Sequence, residues 1–110
     1  MEHLNFKKNF NNKLFGNYLT TFRSTESIDK KDLYIGDEVE LQLNHIPLAT
    51  ATVVEIDKFN ITEYFDETPK HLRMLLSMDV GTSFVQAYDS IRFMCGNEVT
   101  LLLLNVNKRL

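Results

Sequence analysis

Glu38-Val39-Glu40-Leu41-Gln42-Leu43, then Asn44-His45-Ile46-Pro47, then Ala49-Thr50-Ala51-Thr52-Val53-Val54-Glu55-Ile56-Asp57, is the stretch that decides the fold. Val39, Leu41 and Leu43 alternate with Glu38, Glu40 and Gln42, the period of a strand buried on one face. Gly36-Asp37 is a turn signal ahead of it. Asn44 to Pro47 reads as a turn, with Pro47 opening a second strand over 49–57. In that strand Ala49, Ala51, Val53 and Glu55 alternate with Thr50, Thr52, Val54 and Ile56. A hairpin of two amphipathic strands predicts an antiparallel sheet.

The outer parts of the chain extend this sheet. Residues 98–106 read as a final strand, and Val99-Thr100-Leu101-Leu102-Leu103-Leu104 is apolar enough to be buried on both faces. Lys108 to Leu110 reads as a frayed tail. Residues 17–23 are rich in β-branched and aromatic types and read as a strand. Asn5 can cap a helix over 6–15, with Phe6, Phe10, Lys13 and Leu14 on one face and Gly16 stopping it. The polar run from Ser24 to Tyr34 reads as a loop. A short helix is expected at 61–65, capped by Asn60 or Thr62. A second, with Thr68 as cap and Pro69 as first residue, runs to about Met78. After Gly81, Thr82 or Ser83 can cap a third over 84–94, with Phe84, Tyr88, Ile91 and Cys95 on its buried face. Antiparallel strands with the helices grouped before the last strand predict α+β and a small β-barrel with flanking helices.

The chain has 110 residues, enough for one domain spanning 1–110 with a core that needs no disulfide or metal. Hydrophobic residues make up 44% and charged residues 25%, which argues against extended disorder. No apolar run is long enough to span a bilayer, and the first residues lack a signal-peptide layout. Cys95 is the only cysteine, so neither an internal disulfide nor a cysteine zinc cluster can form. These features predict a cytoplasmic protein. The net charge of −3 argues against strong duplex binding, which leaves a basic footprint. The charge is uneven, however. Residues 1–36 hold six Lys/Arg against four Asp/Glu, and residues 37–110 hold six against eleven. The first third can therefore present a basic patch, or only a solvated face.

Gly16-Asn17-Tyr18-Leu19-Thr20-Thr21-Phe22-Arg23 resembles the Gly-x-Lys-x-x-x-x-Arg signature of ASCH domains in the PUA-like superfamily. Ile35-Gly36-Asp37-Glu38-Val39 resembles that family's Gly-Asp-x-Val entry to its second strand. The resemblance covers nearly the whole chain at low identity and implies a small PUA-like barrel with a helical insertion before the last strand. Within it, the small bacterial amidohydrolases that deacetylate N4-acetylcytidine are similar. For these it implies a lysine, a threonine three residues later and an acid in the insertion as the chemical groups. The threonine position is Thr21, the signature arginine is Arg23 and the acid falls near Asp79. The lysine position holds Tyr18. A tyrosine, with a pKa of about 10, stays neutral near pH 7 and replaces a reactive lysine poorly. Lys13 lies one helical turn away in sequence.

Each candidate has a second reading. Arg23 suits a phosphate or a base edge, or a salt bridge to an acid such as Asp37. Thr21 is a hydroxyl for a ligand or a plain strand-former. In an unbent strand it shares a face with Leu19 and Arg23, while Tyr18, Thr20 and Phe22 take the other. Tyr18 can stack on a base or be a rim aromatic. Asp79 is a catalytic acid or a loop residue. His3, His45 and His71 lack metal-ligand spacing, and no cofactor motif is present.

Three functions follow. The first is a module that binds a nucleoside, a nucleotide or single-stranded RNA through Tyr18, Arg23 and Lys13, without a cofactor or metal, and with a degenerate catalytic site. The second is a hydrolase of acylated cytidine, or a ribonuclease, using Thr21 and Asp79, with Asp79 or Glu26 as the base in place of the lysine. The third is a protein-binding adaptor or inhibitor, of the lone-domain type that suits a phage.

Overall fold

The turn between the two central strands has two residues. Asn44 and His45 both adopt positive φ, +50° and +66°, the conformation that matches the twist of a tight hairpin. In the computed structural model, which describes residues 1–9, 14–61 and 83–110, this hairpin joins β3 (Glu38–Leu43) to β4 (Ile46–Asn60). The expected turn is thus shortened. Pro47 already lies in β4 opposite Gln42, beside a register shift where the missing N–H is tolerated.

Five strands form one sheet in the order β1-β3-β4-β5-β2, with β1 (His3–Phe6), β2 (Tyr18–Ser24) and β5 (Glu98–Arg109). The β1–β3 pair is parallel and the others antiparallel. A bulge at Val54 inserts one residue into β4: Val53 pairs with Leu104 and Glu55 with Leu103. The bulge reverses the alternation, so Ile56 turns to the core and Glu55 does not. Strict period-two reading had set Glu55 on the same face as Ala49, Ala51 and Val53. Asn107 is the extra residue on β5, and its side-chain amide donates to Thr52 Oγ1 at 2.7 Å. Such bulges bend strands. The sheet curls into a half-barrel, and the Arg23 guanidinium on one edge strand reaches the Phe6 ring on the other.

The concave face buries Leu4, Phe6, Leu19, Val39, Leu41, Ala51, Val53, Leu102 and Leu104. Helix α1 (Thr25–Lys31) closes part of it with Ile28. The sequence had read this stretch as loop. Ser24 caps α1 by accepting from Ser27 N–H, Glu26 sits in the first turn, and Asp32 ends it at φ +54°. Helix α2 (Phe84–Cys95) packs on the convex face, where Ala87 and Ile91 join Phe59, Val99 and Leu101. Ser83 and Gln86 form a full capping box at its start. Val99, Leu101, Leu102 and Leu104 therefore serve both faces of β5, as the apolar run implies. Burial of each of these leucines contributes about 2 kcal/mol.

Two expectations fail at the ends. No helix starts at Phe6: His3–Phe6 is a strand, because Leu4 and Phe6 bury at a spacing of two against β3. Leu14 and Phe15 form only a 3₁₀ turn, and residues 10–13 lie outside the described set. The C-terminal residues are not frayed either. Lys108 and Arg109 pair with Thr50 and Ala49, and the Arg109 guanidinium donates to the carbonyls of Leu14 and Gly16. The helix expected at 61–65 lies outside the described residues except for Ile61, and the one from Pro69 to Met78 lies wholly outside them. No helix among those described is long and apolar enough to cross a membrane.

Candidate ligand site around Arg23

Strand alternation sets the site. Along β2, Leu19 and Thr21 are buried on the concave face, and Arg23 follows them. Thr21 is 3% exposed, and its hydroxyl accepts from Arg23 Nε at 3.2 Å. The guanidinium carbon lies 4.5 Å from the Phe6 ring centroid, a cation–π distance. One step along β5, opposite Arg23, Thr100 is fully buried and its hydroxyl bonds that of Thr25 at 2.9 Å.

Burial lowers the proton affinity of Arg23, partly offset by the nearby Cys95 sulfur. Burial likewise pushes the Cys95 thiol up, with the Arg23 charge opposing. The Cys95 thiol is 3.7 Å from the Phe22 carbonyl. No described carboxylate forms an ion pair with Arg23. Asp37, the partner considered from sequence, instead accepts from the Tyr34 N–H at 2.9 Å. The guanidinium is thus held by its edge and one face, in a desolvated place, without a described counter-ion. That arrangement suits an anionic or carbonyl-rich ligand.

Of the residues singled out in the sequence, the fold brings Thr21 and Arg23 together. Tyr18 is 61% exposed on the convex face, where simple alternation puts it, and does not meet them. Lys13 and Asp79 lie outside the described residues. Phe6 was missed as a site residue: its contact with Arg23 depends on the curl of the sheet, which no local pattern encodes. Among the described residues no three ligand-type side chains gather around a metal position.

Two open grooves lie elsewhere. One of about 710 Å³ runs between α1, the end of α2 and the start of β5, with Glu26, Asp29 and Glu98 against Lys30. Another of about 540 Å³ is lined by Glu2, Glu26, Lys30 and Lys31. Neither includes Arg23 or Thr21. Their acids, and lysines already paired to Glu26 and Glu2, give an anion little to bind. The chemistry of Arg23 outweighs their size.

No protein-family model matches the sequence, and no curated protein matches it. Among solved structures, protein EF3133 from Enterococcus faecalis V583, of the DUF984 family, is similar with a TM-score of 0.62 at 9% identity. The match covers 87% of this chain and 64% of that one, so the chain spans less than two thirds of that protein's length. The likeness shows a shared fold: a small α+β domain built mostly of sheet.

Proposed function

We propose that this chain is a binding domain of the ASCH/PUA-like kind that takes a nucleotide or a single-stranded RNA segment, with Arg23 pairing to phosphate or a base edge. One observation carries the reading. Arg23 is desolvated, oriented by Thr21 and Phe6, and unpaired with any described carboxylate. A charge in such a place with no described counter-ion is costly unless a partner completes it. Thr21 orients the guanidinium by accepting from its Nε.

Binding is favoured over hydrolysis because Tyr18, at the lysine position, faces away from Thr21. The two cannot act on one atom from opposite faces of a strand. The test is calorimetric titration with uridine and cytidine monophosphates and with N4-acetylcytidine, on wild type and Arg23→Gln. Charge-assisted hydrogen bonds contribute about 1.5–3 kcal/mol each, so Arg23→Gln weakens binding about 10- to 100-fold. Release of acetate from N4-acetylcytidine by wild type, absent in Arg23→Gln, would show an enzyme instead.

A further inference from the structure

The charge of this protein is sorted along the strands. Three stretches carry no Asp or Glu: residues 3–25, 41–54 and 99–110. The topology sends all three to one end of the sheet. There β1 ends at Phe6 and runs into Lys7 and Lys8, β3 turns into β4 at Asn44-His45, β5 ends at Lys108-Arg109, and β2 begins at Tyr18. Glu40 and Glu55 bound this region along β3 and β4.

The opposite end carries Glu2, Glu26, Asp29, Asp37 and Glu98. Its lysines are occupied: Lys30 pairs with Glu26, Lys31 with Glu2 and Lys58 with Asp29. At the basic end Lys7, Lys8, Lys108 and Arg109 make no ion pair with any described residue. Among the described residues α2 is the helix on the convex face, and its buried side chains cluster with Phe59, Val99 and Leu101, on the other half of it. Tyr18 stands out on this half at 61% exposure, and Phe15, in the Leu14–Gly16 turn at this end, is 64% exposed. Arg109 fixes the Leu14–Gly16 turn through two carbonyls and lies 5.9 Å from the Phe15 centroid. Asn105, opposite Tyr18, and Asn107 add amides to the same area.

We infer that this end of the sheet is a track for single-stranded nucleic acid, with Phe15 and Tyr18 stacking on bases and Lys7, Lys8, Lys108 and Arg109 neutralising phosphates. Aromatics interleaved with unpaired cations are what a flexible polyanion with flat bases requires. A surface with no Asp or Glu among its described residues, on an otherwise acidic protein, supplies the charge complementarity. The track shares its ligand class with the proposed function but uses none of the same residues, so the two can fail separately.

The experiment is fluorescence anisotropy with a labelled oligouridylate of about ten nucleotides, within the usual site size of roughly 4–16. Four phosphate contacts give a log–log salt slope of about −3, since each contributes about −0.7 on single strands. Lys108→Gln reduces the slope by about 0.7. Tyr18→Ala weakens binding about 5- to 100-fold at unchanged slope, and Tyr18→Phe keeps it. Uridine monophosphate binding stays at its wild-type value in all three. Oligouridylate binding that is absent, or indifferent to Lys108→Gln and Tyr18→Ala, overturns the track even if the monophosphate still binds through Arg23. A dimer by light scattering that Tyr18→Ala dissociates, with no oligonucleotide bound, overturns it too and gives this face to a second copy. Loss of monophosphate binding alone refutes the Arg23 site and leaves the track standing.

Discussion

Replacing Arg23 by methionine separates a ligand site from a structural one. The substitution keeps a long side chain over Phe6 and removes the charge. It forfeits the cation–π contact, about 0.5–2 kcal/mol, and the charge-assisted hydrogen bond to Thr21, about 1.5–3 kcal/mol. In return it relieves the desolvation that lowers the proton affinity of Arg23. For a fully enclosed ion that penalty is several kcal/mol, and less for a partly open one. The terms nearly cancel, and Arg23→Met changes stability by no more than about 1 kcal/mol. Urea unfolding followed by circular dichroism reads this directly. With an m-value of about 1–2 kcal/mol per molar, the midpoint moves by roughly 1 M or less. Nucleotide affinity meanwhile collapses. Had Arg23 been half of a buried ion pair, stranding its partner would cost about 3–5 kcal/mol. A midpoint shift of that size, at unchanged m-value, would refute the reasoning and make Arg23 a structural residue.

Two further outcomes test the frame around the site. Ser83→Ala removes the acceptor for the Gln86 N–H and half of the capping box, so it destabilises the protein by about 0.5–2 kcal/mol; an unchanged urea midpoint would mean α2 does not depend on its cap. Burial holds the Cys95 thiol above its ordinary pKa of about 8.5, so the folded state keeps the proton more tightly than the unfolded one. The resulting stability is full below about pH 8.5 and is lost as pH rises through the folded value. Cys95→Ala therefore flattens the alkaline decline in urea midpoint between about pH 7 and 10, and parallel wild-type and variant curves would contradict it.

The central hairpin, the doubly buried last strand and α2 were legible because each rests on local chemistry. Glu38–Leu43 alternates, Val99 to Leu104 has no polar face to offer, and Ser83 was one of two cap candidates ahead of the apolar face of α2. α1 was not legible because seven residues with one buried side chain, Ile28, carry no period. β1 was misread for a related reason. Phe6, Phe10 and Leu14 fit a helical spacing as well as Leu4 and Phe6 fit a strand. Pairing with β3, thirty-seven residues away at Leu4↔Leu41, decided between them. The site shows the same division. Thr21 and Arg23 on one face, and Tyr18 on the other, follow from alternation. Phe6 enters only because bulges at Val54 and Asn107 curl the sheet until its two edges meet.

Charge sorting has a consequence for how a net-acidic domain meets a polyanion. The molecule measures 37 × 29 × 22 Å. At physiological ionic strength the Debye length is about 8 Å, so carboxylates at one end of the sheet are largely screened from a strand lying at the other. The three ion pairs at the acidic end reduce its field further. What an approaching phosphate experiences is then the local excess of Lys7, Lys8, Lys108 and Arg109, not the overall −3. Below about 0.01 M salt the Debye length reaches roughly 30 Å, comparable to the whole molecule, and the acids come back into play. Affinity for oligouridylate therefore rises less steeply at very low salt than four phosphate contacts alone dictate, and that curvature distinguishes a local patch on an acidic protein from a uniformly basic surface.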